Sequence, residues 1–368
     1  MIRQAEAVSQ LDLGIPQLSD ARLIGSGGYA EVYVAHHQGL GRRVAVKVVA
    51  RFDDATRLAE FERECAAMGR LSDHPHVVVP LSAGVTSAGD RYLLMEHYAD
   101  GSCADFVAQV GPLGSVDLVD WVLQVGGALQ VAHARGVLHN DVKPDNVLVS
   151  RASGGVRFAV ADFGLAHLMD GHTASGATAG SLLYVAPELL DGVAPTPASD
   201  VYGLAATTCF MASGSAPFER RNGESWISLL RRIATESVDP AAANGVPANL
   251  RPLIVASLAK QPAERPSMED LLTAARVPSP IDGDPNPVPL AVQVSTEPDA
   301  LSVASDAPFA GMDEPSLPEL PPWIDSAPPT PQRVDDPTDE TSASSIWWFV
   351  FVLVALFVAS VVIGSLFR

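Results

Sequence analysis

Eight consecutive residues constrain this chain more than any other stretch: His139-Asn140-Asp141-Val142-Lys143-Pro144-Asp145-Asn146, with Asp162-Phe163-Gly164 sixteen positions after Asn146. The run supplies a carboxylate, an ammonium, an amide and a second carboxylate at the spacing that a Mg²⁺-ATP phosphoryl-transfer site requires. Any fold this chain adopts must bring those four groups to one place. Lysine usage sharpens the constraint. The chain has 24 Lys plus Arg, yet the only lysines are Lys47, Lys143 and Lys260. Two of these three lie where phosphoryl transfer needs a compact ammonium, and arginine does not substitute freely there.

Composition divides the chain. Residues 277–345 hold thirteen acids against one base, Arg333, and so carry twelve of the nineteen net negative charges. Fifteen of the 29 prolines also fall there. Such a segment buries too little apolar surface to offset the entropy of ordering, and the expectation is a disordered acidic linker, extended by self-repulsion. The acidic balance argues against nucleic acid as a partner, and equally against polybasic docking on a membrane. Cys65, Cys103 and Cys209 are far apart with no C-x-x-C pair, which fits a reduced compartment rather than a disulfide framework or a zinc site.

Beyond the linker, Ile346–Phe367 is free of charge and about 33 Å long as a helix, enough for one bilayer crossing, with Trp347 and Trp348 placed for the interfacial belt. Residues 1–24 contain no apolar run of signal-peptide length. The expected arrangement is therefore a single-pass protein of the cytoplasmic membrane. Its N-terminal domain lies in the cytoplasm and its C-terminus at the outer face, although lysine and arginine around the span are too few to set the orientation. Ser360-x-x-x-Gly364 has the spacing of a small-residue helix seam, so a homodimer and a chance pattern both stand open.

The preceding 276 residues read as β-rich, then helical. Ala21–Ala35 forms a strand, a glycine turn at Gly25, Gly27 and Gly28, and a second strand; since no helix follows the glycines, a dinucleotide site is disfavoured. Arg43–Ala50 is a β-branched strand in which the ammonium of Lys47 needs an anionic partner. Glu64 offers one from a helix spanning Asp54–Leu71, where Leu58, Phe61, Cys65 and Met68 recur at helical spacing. Arg91–Glu96 reads as a further strand, and the turn-rich His97–Gly101 as the junction of two lobes. Val116–Ala134, Val201–Met211 and Leu250–Leu258 carry helical periodicity.

Taken in order, Gly25-Ser-Gly-Gly-Tyr-Ala-Glu-Val32, Val44-Ala-Val-Lys47, Glu64, His74-Pro75, Met95-Glu96, His139 to Asn146, Asp162-Phe-Gly164, Gly180-Ser-Leu-Leu-Tyr-Val-Ala-Pro-Glu188, Asp200-Val-Tyr-Gly203 and Arg265 resemble the bacterial eukaryotic-like (Hanks-type) serine/threonine protein kinases from about residue 18 to 276. The resemblance implies an α+β, bilobal fold, with a β-rich N-lobe and a mainly helical C-lobe, followed by the linker and the transmembrane helix.

It also implies roles. Gly25, Ser26, Gly27 and Gly28 would cover the phosphates. Lys47 would hold the α- and β-phosphates, fixed by Glu64. Asp141 would take the proton of a Ser or Thr hydroxyl on a protein substrate, and Lys143 would neutralise the γ-phosphate. Asn146 and Asp162 would hold Mg²⁺. Val32, Ala45, Met95 and Leu148 would line the adenine pocket, with the Glu96 and Tyr98 backbone at the hinge. Glu188 and Arg265 would form a buried ion pair bracing the C-lobe. A pseudokinase scaffold and a small-molecule phosphotransferase are the competing readings. The four retained catalytic groups count against the first, and the Gly180–Glu188 segment with Arg265 against the second.

Two positions depart from the family pattern. Ala30 replaces the third loop glycine and is small enough to change little. Asn140 replaces the arginine that pairs with an activation-loop phosphate in many regulated kinases. Without that guanidinium, phosphorylation of Thr173, Ser175 or Thr178 is not expected to be an obligatory on-switch.

Overall fold

The computed structural model describes residues 11–26, 30–49, 55–152, 155–163 and 180–278. Five antiparallel strands open the chain: β1 (Leu18–Ser26), β2 (Ala30–His37), β3 (Arg42–Val49), β4 (Pro80–Val85) and β5 (Arg91–Glu96), in spatial order β1-β2-β3-β5-β4. Helix α1 (Ala55–Leu71) interrupts them. The period-2 pattern of β3 sorts its side chains between two faces. Val44 and Val46 join Ile15, Ala21, Tyr33, Ala35 and Leu94 on the outer face. Ala45 and Val49 join Leu93, Met95, Phe61 and Met68 on the inner face, facing α1 and the second lobe.

The outer face is closed by residues 11–17. This strap returns along the sheet with Leu11 N–H donating to Ala21 O (3.4 Å), Ser87 N–H to Gly14 O (3.1 Å) and Gln38 N–H to Gln17 O (2.9 Å), and it buries Ile15. Gly14 has φ +63°, and a Cβ there would overlap the Ser87 hydroxyl, so the strap can approach the β4–β5 turn only as glycine.

The second lobe is built on α3 (Ser115–Ala134), which packs on α5 (Pro197–Ser213), α8 (Met268–Arg276) and β7. Helices α2 (Cys103–Val110), α4 (Pro187–Leu190), α6 (Trp226–Thr235) and α7 (Arg251–Ser257) surround it, and the hairpin β6 (Val147–Ala152) and β7 (Gly155–Val160) lies against α3. Trp121 of α3 is fully buried. Its indole N–H donates to Thr208 Oγ1 of α5 (3.0 Å) and its ring meets Phe158 of β7 edge to face at 5.2 Å, so one side chain pins three elements. Ser102 with Asp105 and Ser267 with Asp270 form capping boxes at the starts of α2 and α8, each satisfying donors whose loss costs about 1 kcal/mol.

The expected strand at Arg91–Glu96 and the expected helices over 54–71, 116–134, 201–211 and 250–258 coincide with β5, α1, α3, α5 and α7 to within a few residues. The turn residues Gly27 and Gly28 and the expected span Ile346–Phe367 lie outside the described residues. Among the described residues, no helix is long and apolar enough to cross a membrane.

Because Gly14 combines left-handed backbone with close approach, Gly14→Ala is expected to destabilise the protein by about 1–3 kcal/mol, a Tm decrease of about 2–10 °C. A thermal scan of the variant against the parent checks it.

Candidate active site

The two lobes meet along one edge. Val78 N–H donates to Val160 O and Val160 N–H to His76 O, both at 2.9 Å, so the segment after α1 pairs in parallel with β7. Arg157 of β7 reinforces the joint, donating to Pro75 O (2.8 Å) and Glu96 (3.3 Å) while lying 5.4 Å over the Tyr98 ring. Arg135, just past α3, forks onto Asp73 at 2.6 and 2.9 Å.

Within the N-lobe, strand register places the candidate nucleotide residues. Val32 pairs with Lys47 and Ala45 with Met95, putting all four on the inner face. Ala45 and Met95 are buried, whereas Val32 and, on β6, Leu148 stay half-buried although they are apolar, as the walls of a cleft would be. Glu96 ends β5, and Tyr98, buried, lies two residues on in the connection between the lobes. Gly25 and Ser26 close β1, opposite Val32 and Glu31.

At the back of that face Lys47 Nζ lies 2.7 Å from Glu64 Oε1 of α1 and 3.0 Å from Asp162 Oδ1. The ammonium is nearly inaccessible, so an unpaired charge there would be prohibitive. Burial pulls the Lys47 pKa down, but Asp162 and Glu64 outweigh it and hold the group charged, above its ordinary value. The carboxylates share one cation unequally. Burial pushes the Glu64 carboxyl up, to about 7, with Asp162 adding to the push and Lys47 opposing it. Asp162 is half-buried, which pushes its carboxyl up, yet Lys47 outweighs this and holds it below the usual carboxylate range.

Helix α5 organises the catalytic run. Asp200 is 1% exposed and its carboxylate accepts from the backbone N–H of His139 (2.9 Å) and Asn140 (2.7 Å) and from His133 Nε2 (2.8 Å). Gly203, one turn on, allows contact with the loop: a Cβ there would lie 3.0 Å from Val142 Cβ and 3.1 Å from its carbonyl oxygen. His139, fully buried, accepts at Nδ1 from Asp141 N–H (3.2 Å), which leaves the proton on Nε2, donated to Ala161 O at 2.8 Å. The imidazole thus bridges the run to the residue before Asp162, and its ring lies 4.8 Å from that of Phe163.

On this frame Lys143 Nζ contacts Asp141 Oδ2 (2.6 Å) and Ser181 Oγ (2.9 Å), while Asn146 Nδ2 donates to Asp141 Oδ2 and to its carbonyl oxygen, both at 2.8 Å. Asp141, about one quarter exposed, therefore has one carboxylate oxygen bound by two donors and its other end toward solvent. With Nδ2 committed to Asp141, Oδ1 is the acceptor end of the Asn146 amide. That oxygen and the Asp162 carboxylate are hard donors of the kind Mg²⁺ takes when it is also carried on phosphates. The residues fit such an ion.

Glu188 and Arg265 meet in a two-pronged pair, 2.7 Å at each prong, with Ser199 Oγ also on Glu188 and Arg265 reaching Ala198 O. Lys47, Glu64 and Asp162 thus form one cluster and Asp141, Lys143 and Asn146 a second, linked through His139 and Ala161. Sequence reasoning left two parts unassigned: the second carboxylate on Lys47, and the clamp of Asp200 on the catalytic run. It singled out Asp200 within a motif but gave it no role. Asn140 is buried in a left-handed conformation, φ +67°, and neither end of its amide finds a hydrogen-bond partner among the described residues. Thr173, Ser175 and Thr178 lie outside the described residues.

A β-rich and a helical lobe joined in this way, with a buried Lys–Glu pair above and an Asp–Lys–Asn constellation below, make the arrangement of the protein-kinase fold. The sequence profile of the protein kinase domain matches residues 18–275, and the chain belongs to that family. It is 38% identical over 284 residues to the serine/threonine-protein kinase PknK of Mycobacterium tuberculosis, a match covering 75% of this chain and 25% of PknK. It is 34% identical to PknD of the same organism over 74% of this chain and 41% of PknD, and 34% identical to PknA over 66% of this chain and 57% of PknA. The chain thus spans between about a quarter and three fifths of the length of these relatives. Among solved structures, Rad53 1–466 in complex with AMP-PNP superposes with a TM-score of 0.56 at 24% identity, over 72% of this chain and 64% of that one, a likeness of fold.

The raised Glu64 pKa gives stability a pH dependence of definite sign. An unfolded Glu64 loses its proton near the ordinary value, 4.5, and the folded one near 7, so stability falls as pH rises through that window. Relative to Glu64→Gln, the ligand-free parent is expected to lose about 1–3 kcal/mol between pH 5 and 8. Paired urea titrations across that range would refute this if the difference stayed flat.

Proposed function

We propose that this chain is a serine/threonine protein kinase that moves the γ-phosphoryl group of ATP to serine or threonine hydroxyls of proteins, its own included, while tethered to the cytoplasmic face of a membrane. The observation that carries the activity is the Asp141 carboxylate, fixed through one oxygen by Lys143 and Asn146 and open at the other. A substrate hydroxyl hydrogen-bonded to the open oxygen is aimed by it. As the new O–P bond forms and the bond from the γ-phosphorus to its bridging oxygen breaks, the hydroxyl proton passes to Asp141 and ADP leaves.

The chain's other groups act by position and charge. Lys47, held by Glu64, meets the α- and β-phosphates, and Lys143 faces the transferred group. Mg²⁺, held by Asn146 Oδ1 and Asp162, would neutralise phosphate oxygens. The contact between Lys143 and Ser181 supports hydroxyls of Ser or Thr type, since both belong to the family's serine/threonine pattern. All four catalytic groups are kept and mutually engaged, which counts against the scaffold reading. The tether rests on the uncharged Ile346–Phe367, and its Ser360-x-x-x-Gly364 seam would let two copies associate.

Asp141→Asn in the full chain is expected to lower γ-phosphate transfer, to itself and to a generic basic protein, by at least about 10²-fold with ATP binding retained. Equal transfer by parent and variant would overturn the proposal. Replacing Thr173, Ser175 and Thr178 together by Ala is expected to leave activity within about tenfold, about 1.4 kcal/mol, because Asn140 offers a loop phosphate no charge; a larger loss in the same assay would show that the loop phosphates matter.

A further inference from the structure

We propose that the turn between β2 and β3 is a docking surface for anionic lipid headgroups, which lays the N-lobe on the membrane to which the chain is tethered. The inference rests on the tether proposed above.

Residues 38–43, Gln38-Gly-Leu-Gly-Arg-Arg43, are all exposed, six in a row in the turn that joins β2 to β3 at the rim of the sheet. Its apex is apolar: Leu40 is 49% exposed, between two glycines. Gly41, at φ +61°, has open space where a Cβ would be. Basic side chains flank the leucine, and the two that carry charge, Arg42 and Arg43, stand on the β3 side. His37 pairs across the ribbon with Arg42 and His36 with Arg43. His97, at the end of β5, lies near enough to Arg43 to feel its charge. From Val32 to Arg51 the chain contains no acid. Asp12 on the strap, Asp20 on β1 and Glu96 on β5 are the acids of the elements packed against this end, and Glu96 is engaged with Arg157.

Arg42 and Arg43 also differ from the paired arginines of the molecule. Arg135, Arg151, Arg157, Arg232 and Arg265 are each committed to a carboxylate. Among the described residues, neither Arg42 nor Arg43 forms an ion pair. The turn is braced as well as bare: Gln38 N–H donates to Gln17 O of the strap (2.9 Å), and Leu40 N–H donates to His37 Nδ1 (3.1 Å). A braced, exposed, apolar tip beside two arginines matches a planar anionic surface, where Leu40 enters the headgroup layer and the guanidinium groups meet phosphates. An acidic peptide would need a groove, and six consecutive exposed residues supply no walls for one.

Chain-wide charge argues against membrane docking, but the fold concentrates at one end what composition averages away. Each cation near an anionic leaflet strengthens binding about fivefold, too little to recruit a free protein. For a domain already held by a tether, the same contacts act intramolecularly and suffice to orient it.

The test uses the full chain carrying Leu40→Cys labelled with a polarity-sensitive fluorophore, with the unsubstituted chain as the background control for Cys65. It is reconstituted in nanodiscs of phosphatidylcholine alone or with about one third phosphatidylglycerol. The expected result is a blue shift of emission in the anionic discs only, abolished by Arg42→Glu with Arg43→Glu, while phosphorylation of a soluble protein is unchanged. Identical emission in both discs overturns the proposal. So does a shift in phosphatidylcholine discs on adding polyglutamate, which would assign the turn to acidic protein partners. Retention on phosphatidylcholine discs in high salt reads the tether separately. Should the tether fail, the same labelled chain held by a C-terminal His tag on nickel-chelating lipid, in anionic against phosphatidylcholine discs, still decides for or against the turn.

Discussion

The arrangement depends on a single buried ammonium. Lys47 is buried away from solvent, so the fold must supply carboxylates, and it draws them from two distant places, Glu64 on α1 and Asp162 after β7. That requirement fixes α1 against the sheet and brings the segment after β7 up to the N-lobe. The pair with Glu64 is thus a positional device: removing either partner leaves a charge or an acid in a site built for the other. Of the two acids that share this cation, Glu64 lies deeper, and burial pushes its carboxyl up to about 7.

Below the cleft a buried carboxylate does the organising. Asp200 never faces the reaction, yet its bonds to the backbone of His139 and Asn140 set the path of the catalytic run. His139 then carries that order to Ala161, next to Asp162. The groups that would touch phosphate are therefore held by a layer of buried polar bonds, with little left to the side chains' own preferences. Where that layer lacks a member, at the Asn140 amide, two polar atoms remain unpaired.

What the sequence disclosed follows from how local each signal is. Strands β3 and β5 and helices α1, α3 and α5 carry long, regular apolar periods, and the catalytic residues stand at fixed spacing, so both were legible. Strand β4 was not: it begins with Pro80 and contains Ser82 and Gly84, which read as loop. Gly84 is there because a Cβ would strike the Tyr92 ring, a reason that exists only after the sheet has formed. The strap over residues 11–17 has no period at all and is defined by the surface it covers. Equally hidden was the second carboxylate on Lys47, 115 positions away, since no spacing rule reaches across two lobes.

The joint between the lobes carries a mechanical consequence. It is made of paired backbone bonds between the segment after α1 and β7, with Arg157 driven through Pro75, Glu96 and Tyr98 like a rivet. Bonds of this kind resist sliding and separation but tolerate rotation about their own line. A swing about that seam is the motion such a joint leaves to the two halves, and the distance from Val32 to the catalytic run would be its readout. A chain jointed in this way would open and close as a hinged book does, with its spine at the seam.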